Sequence, residues 1–215
     1  MNRRQARSAI AGAVLTLAIA ALGYAVPARA ADLTVTVGDT PVTAPLPDDF
    51  LGLALEFNTV PRWTARGRQA PDATFDALLH NLSPVGTPSI RIGGQSTDRS
   101  WWPSPGVARP LGITHDLGPS WTAAAQALAV RTGAQLILGI NLEAGSVALS
   151  RREAEQFAAR IGESHIAAFE IGNEPELYLK TPWYKEVGGT PLPWYATQGT
   201  PVYARPSTFG PIDFD

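Results

Sequence analysis

Asn173 and Glu174 set an amide beside a carboxyl group in the stretch Phe169-Glu170-Ile171-Gly172-Asn173-Glu174-Pro175-Glu176-Leu177-Tyr178. An apolar run climbs through Ala167 and Ala168 to Ile171 and breaks at Gly172, which reads as a strand whose carboxyl end displays both groups. Pro175 lacks an N–H and has a fixed φ, so it stops the ladder and aims the Glu174 side chain. A carboxyl group at the C-terminal end of a parallel strand can give and take a proton where enzymes built from βα units hold their substrates. Glu174 is therefore the candidate acid/base. Asn-Glu-Pro alone also fits a strand-to-helix turn with a solvated acid, so the surrounding elements decide between the two readings.

Those elements recur with a period. Phe50 to Asn58 is a near-continuous apolar run closed by Glu56 and Asn58, as in parallel strands buried on both faces. Asp72 to Leu82, after Pro71, carries a helical stripe at Phe75, Leu78, Leu79 and Leu82. Ser89-Ile90-Arg91-Ile92-Gly93-Gly94 reads as a second strand, and Ser120 to Arg131 as a helix capped by Ser120 and ended by Gly133. Gln135 to Asn141 is a third strand, and Ser150-Arg151-Arg152-Glu153 offers a capping box for a helix to about Ile161. The fourth strand leads to Glu174. Strand and helix in alternation, with right-handed crossovers, make an α/β fold with a parallel sheet, open or closed into a (β/α)8 barrel. Every strand ends in polar or glycine residues: Glu56 and Asn58, Gly93 through Asp98, Asn141 and Glu143, Asn173 and Glu174. No glycine-rich phosphate loop follows the first strand, which argues against a dinucleotide site.

Ahead of this region, Met1 to Ala30 has a basic start at Arg3, Arg4 and Arg7, an apolar stretch from Ala9 to about Val26, and Ala28-Arg29-Ala30 before Ala31. That is the pattern of a secretory signal peptide, so cleavage after Ala30 and a secreted or periplasmic location are expected. Its loss leaves 13 basic against 19 acidic residues, a charge near −6. Neither nucleic acid nor an anionic membrane suits such a surface. With no cysteine in the chain, no disulfide framework is available. Leu33 to Val37 alternates as a strand with one buried face, and Pro41, Pro45 and Pro47 make residues 38–49 a linker.

Other titratable residues fit plainer roles. Glu170 lies inside its strand, where an ion pair with Arg91 is expected. Glu143 and Glu176 read as loop acids, and Asp98 as a turn and capping acid. His80, His115 and His165 have no partner at helical spacing, so neither metal nor other cofactor is expected.

The segments F-L-G-L-A-L-E-F-N, S-I-R-I-G-G-Q-S-T-D, L-I-L-G-I-N and F-E-I-G-N-E-P-E-L-Y together resemble the amino-terminal half of a retaining glycoside hydrolase barrel of the large Glu/Glu clan. They are most similar to glycoside hydrolase family 79, the heparanase and β-glucuronidase family, over about Phe50 to Tyr178. The resemblance implies that residues 50–215 supply about four βα units of a (β/α)8 barrel, with the strand at Leu33 to Val37 belonging to a β-sandwich beside it. It makes Glu174 the general acid/base and Asn173 a donor to the hydroxyl next to the anomeric carbon. Glu56, Gln95 and Ser96 then line the subsite of the released sugar, Arg91 and Asn141 support the site, and the nucleophile lies beyond Asp215. The implied activity is hydrolysis of β-glycosidic bonds in uronic-acid-containing glycans. An arabinofuranosidase or xylosidase of the same clan, and an inactive fragment that only binds sugar, are the alternatives.

Trp101, Trp102, Trp183, Trp194 and Tyr195 fall in Pro- and Gly-rich loops, where stacking on sugar rings and packing onto the rim are both open. Residues 31–215 alone are expected neither to fold stably nor to hydrolyse glycosides, with Leu53, Ile90, Leu138 and Phe169 facing an unfilled barrel interior.

Overall fold

The computed structural model describes residues 34–36, 38, 44, 47, 50–63 and 73–210. The leader with its cleavage point after Ala30, and both Leu33 and Val37, lie outside the described residues. Thr34, Val35 and Thr36 are exposed and in no strand. A strand is held by the ladder to its neighbour, and these three residues pair with none among the described residues. The chain divides into two units, Met1–Pro45 and Leu46–Asp215, and every helix and strand among the described residues belongs to the second.

In chain order its strands are β1 (Gly52–Glu56), β2 (Ser89–Gly93), the two-residue β3 (Ser100–Trp101) and β4 (His115–Asp116), β5 (Gln135–Ile140), β6 (Ile166–Ile171), β7 (Tyr184–Val187), β8 (Thr190–Pro193) and β9 (Thr200–Val202). The helices are α1 (Val60–Trp63), α2 (Ala73–Leu82), α3 (Pro119–Thr132) and α4 (Val147–Ile161). The main sheet is parallel with spatial order β1-β2-β5-β6, the order of the sequence itself. Crossovers that all step the same way, each right-handed, put their helices on one face. The core lies there: Ile90, Ile92, Leu136, Leu138 and Ile140 meet Phe75 and Leu79 of α2, Trp121, Ala125 and Leu128 of α3, and Phe157 and Ile161 of α4. This arrangement is compatible with part of a (β/α)8 barrel, and what the described residues contain is an open four-stranded sheet.

That core reverses the expected facing of the strands. Ile90 and Leu138 are fully buried under the helices, and Leu53 packs against the same cluster. Alternation leaves Ala54, Arg91, Ile137 and Glu170 for the opposite face. The physical reason is Arg91: a guanidinium between Ile90 and Ile92 cannot enter the helix-covered layer, so the isoleucines take it. Of Leu53, Ile90, Leu138 and Phe169, only Phe169 is exposed, at 39%, with its neighbour on the same face, Ile171, at 57%. Both point to the helix side of the edge strand β6, beside a groove of about 450 Å³ lined by Ile140, Leu142, Val147 and Ala154.

Helix ends also differ from expectation. Gly118 occupies the N-cap of α3 with Pro119 at the first helical position, so Ser120 lies inside the helix. Ser146 caps α4, accepting from the Leu149 amide at 3.3 Å. Ser150 and Glu153 are thus not a capping box. Both grip the peptide of Asn141 instead: Ser150 Oγ donates to its carbonyl at 2.6 Å, and Glu153 Oε2 accepts from its amide at 2.9 Å. In α2, Phe75 and Leu79 are buried while Leu78 is 61% exposed.

The region after β6 is more ordered than a loop. β7, β8 and β9 form an antiparallel sheet of order β8-β7-β9. Pro191 and Pro193 lie on β8 and Pro201 on β9, the two edge strands, where a missing N–H costs no ladder bond.

Candidate active site

The carboxyl ends of β2, β5 and β6 are tied together by Asp98. Its side chain is buried, yet each oxygen has two donors: the amides of Leu142 at 2.8 Å and Glu143 at 3.0 Å on Oδ1, the amide of Asn173 and the hydroxyl of Tyr178, both at 2.8 Å, on Oδ2. Burial, then the Asp98 charge, push the Tyr178 phenol up, so it stays a donor. Asp98 is therefore a junction between strand ends rather than a local turn cap. Asn141 completes the junction, donating through Nδ2 to the carbonyls of Asp98 at 3.0 Å and Ser100 at 2.8 Å, and accepting from the Ala144 amide at 2.9 Å. Fully buried and fully engaged, it holds the frame and lines neither of the cavities at these strand ends.

On the face opposite the helices, Arg91 reaches across the sheet to Glu170. Nε donates to Glu170 Oε2 at 2.5 Å and Nη2 to Oε1 at 2.6 Å, a bidentate pair whose side chains are about one-third exposed. The hydrogen bond to Glu170, then its charge, raise the guanidinium further, against some burial. Nη2 also donates to Asn173 Oδ1 at 3.1 Å, which turns the amide so that Nδ2 points to Glu174 Oε2 at 3.3 Å. Arg91 thus orients Asn173, and Asn173 abuts Glu174.

Glu174 itself is exposed and sits at φ 46°, ψ 56°, the only non-glycine residue with positive φ among the described residues. The turn before it needs Gly172, at φ 74°, because a Cβ there would meet Tyr178 Oη at 2.6 Å and Leu142 Cβ at 2.8 Å. Left-handed backbone just before Pro175 costs Glu174 about 1 kcal/mol. The network around Asp98 and Arg91 holds it there.

Two cavities meet at these strand ends. The smaller, about 30 Å³, is lined by Gln95, Asp98, Arg99, Glu143, Asn173, Glu174, Leu177, Tyr178 and Thr181. The larger, about 280 Å³, is lined by Glu56, Asn58, Gln95, Ser96, Arg99, Thr114, His115, Trp194 and Tyr195. Gln95 and Arg99 belong to both. Glu56 folds against Gly94, where a side chain would collide with its carboxylate, and Oε2 accepts from the amide of Ser96 at 2.9 Å and from its hydroxyl. Ser96 Oγ in turn accepts from the Phe57 amide at 2.8 Å. His115, hydrogen-bonded through Nδ1 to Thr114 Oγ1 at 2.8 Å, is held below its ordinary value by burial and then by Arg109.

Asn173, Glu174 and Gln95 therefore share one cavity, Glu56, Gln95 and Ser96 share the other, and Arg91 and Asn141 stand behind them. The aromatics divide. Trp101, Trp102 and Trp183 are buried, whereas Trp194 and exposed Tyr195, edge to face at 5.6 Å, wall the larger cavity. Glu143 is the residue that the sequence does not advertise. Far from being a loop acid, it is buried, 3.2 Å from the guanidinium of Arg99, and burial pushes its carboxyl up to about 7 against the pull of Arg99. Its position two residues past the polar end of a strand, at Asn141-Leu142-Glu143, is the one local signal.

No family model and no curated protein matches the chain. Among solved structures, the chain is similar to a 4-O-α-L-rhamnosyl-β-D-glucuronidase from Fusarium oxysporum 12S, solved with Rha-GlcA, at 26% identity and a TM-score of 0.47. The match covers 64% of this chain and 30% of that one, so the chain spans less than a third of that protein's length.

Proposed function

We propose that this chain carries the acid/base half of a retaining β-glycosidase of the family 79 type, exported from the cell and acting on β-glucuronides. The observation that carries the reading is the line Arg91–Asn173–Glu174, which brings an oriented amide and an exposed carboxyl group to one polar cavity at the ends of parallel strands. Cleaving a glycosidic bond requires a proton on the leaving oxygen and a stabiliser for an oxocarbenium-like transition state, and retaining enzymes supply these from carboxyl groups about 5–5.5 Å apart. In this reading Glu174 gives the proton to the leaving oxygen and takes one from water in the second step. Asn173 Nδ2 hydrogen-bonds the hydroxyl beside the anomeric carbon, and Glu56 and Gln95 hold further hydroxyls of the same ring.

The test is Glu174→Ala in a form of the enzyme that includes the nucleophile. It should slow cleavage of poor leaving groups by orders of magnitude more than cleavage of activated aryl glucuronides, which need little protonation. Added azide should restore turnover and yield the β-glycosyl azide. An equal loss on both substrate types with no rescue removes Glu174 from the role.

One observation favours a second reading, sugar binding without turnover. Glu143, which lines the same cavity, is committed to Arg99, and Glu170, on the strand that leads to Glu174, to Arg91, so neither is free to attack an anomeric carbon. Glucuronate release from a chromogenic glucuronide supports the first reading, and saturable binding with no release supports the second.

A further inference from the structure

The proposed reaction gives no role to the buried charge pair behind the Glu174 cavity. The side chains of Glu143 and Arg99 are 3% and 5% exposed, with Oε2 3.2 Å from Nη2. Glu143 Oε1 and Arg99 Nε are buried with no hydrogen-bond partner. Both residues line the cavity beside Glu174. What Arg99 grips is the start of the segment that walls the neighbouring cleft: Nη1 donates to the Trp183 carbonyl at 3.0 Å and Nη2 to the Pro182 carbonyl at 3.2 Å. The guanidinium also lies 5.9 Å from the ring of Trp194. A buried guanidinium without its carboxylate is a heavily penalised charge, so Glu143 is what lets Arg99 stay under this segment.

We propose that Glu143 is a positioning residue: through Arg99 it fixes the β7–β8 hairpin, and with it the Trp194–Tyr195 wall, against the cavity that contains Glu174. The hairpin geometry carries this on its own; only its effect on substrate rests on the glycosidase reading. The charged and titratable groups facing Glu143 are Arg99 and Asp98 from the end of β2, Arg205 from the segment after β9, and Tyr178 and Glu174 across the cavity. Arg205 Nη1 donates to the Glu143 carbonyl at 3.0 Å, so the backbone of Glu143 stays anchored whatever its side chain does. Protonating Glu143 removes the attraction that fixes Arg99. With the carboxyl pushed up to about 7, this happens near neutrality.

The experiment is a pH titration of tryptophan fluorescence and near-ultraviolet circular dichroism on the whole chain, from about pH 5.5 to about pH 8.5. The wild type should show a step near pH 7 that Trp194→Phe reduces. In Glu143→Gln the step should vanish and the spectrum should match the acid form of the wild type at every pH, while Glu143→Asp restores a step. His115 also faces the cleft but titrates lower, so the step must survive His115→Gln. With a chromogenic glucuronide, Glu143→Gln should raise KM roughly tenfold and change kcat by less than about twofold. A wild type whose indoles do not titrate near pH 7, or a Glu143→Gln protein that keeps the step, overturns the proposal, and the wild-type arm stands even if the variant fails to fold. Spectroscopic titration in a protein without glycosidase activity upholds the positioning role and sinks the catalytic reading alone.

Discussion

Glu174 adopts a backbone conformation that glycine reaches without strain. Glu174→Gly should therefore raise stability by about 0.5–1 kcal/mol in urea unfolding while losing cleavage of poor leaving groups as Glu174→Ala does; a less stable variant would mean that the carboxyl group helps to hold the turn. The neighbour behaves differently. Asn173 is turned by Arg91, and in the proposed reaction its amide bond to substrate strengthens in the transition state, so Asn173→Ala should lower kcat more than it raises KM. A change confined to KM assigns the amide to ground-state binding. These two residues are legible in the sequence because they are adjacent and follow an apolar run. Glu143 and Asp98 are not, because what defines them arrives from elsewhere in the chain: Arg99 for the first, and Leu142, Asn173 and Tyr178 for the second. A turn acid and a buried junction look the same until the strands are side by side.

Glu153 shows the same limit within an element. Ser150-Arg151-Arg152-Glu153 has the spacing of a capping box, yet the helix begins earlier, and the three-residue spacing serves to set both side chains on one helix face toward Asn141. Burial pushes the Glu153 carboxyl up to about 8, against the pull of the Asn141 amide. Its ordinary value of 4.5 applies in the unfolded chain, so between these values the folded protein binds the proton more tightly. The stabilisation is complete below about pH 4.5 and is lost as pH rises through about 8. Glu153 should contribute a fall in unfolding free energy of roughly 1 kcal/mol per pH unit across that window, on top of the fall that Glu143 gives up to about pH 7, and Glu153→Gln, which can still accept from Asn141, should reduce the slope by that contribution. A slope unchanged in the variant places the titration elsewhere. The β7–β9 sheet was illegible for another reason: Pro191, Pro193 and Pro201 read as loop residues, and only the pairing shows that they sit on edges.

Across the whole second unit, the parallel order and the helix positions could be read from the alternation of apolar runs and stripes. Which face the strands bury could not, since Leu53, Ile90 and Leu138 alternate equally well with either side as core; the helices and Arg91 settle it. Beside α4 at the edge strand β6, Phe169 and Ile171 leave an apolar groove open. The dye 1-anilinonaphthalene-8-sulfonate should bind there, and Ile171→Lys should cut its fluorescence severalfold without altering the far-ultraviolet dichroism. Undiminished dye binding would place the exposed apolar surface elsewhere.

The spatial order β1-β2-β5-β6 also has a temporal meaning. A ribosome delivers the amino end first, so each strand of this sheet emerges after the neighbour it pairs with, and a finished edge is already waiting for it. Besides the outer edge of β1, only the newest edge of this sheet is unpaired at any moment of synthesis, and the interval for which it is exposed is set by the length of the next βα unit. In a doubly wound sheet the chain returns to the far side of its first strand, and that early edge stays open until it does. Here the polypeptide can fold at the pace at which it is made, its long-range pairings each costing one loop closure of similar size.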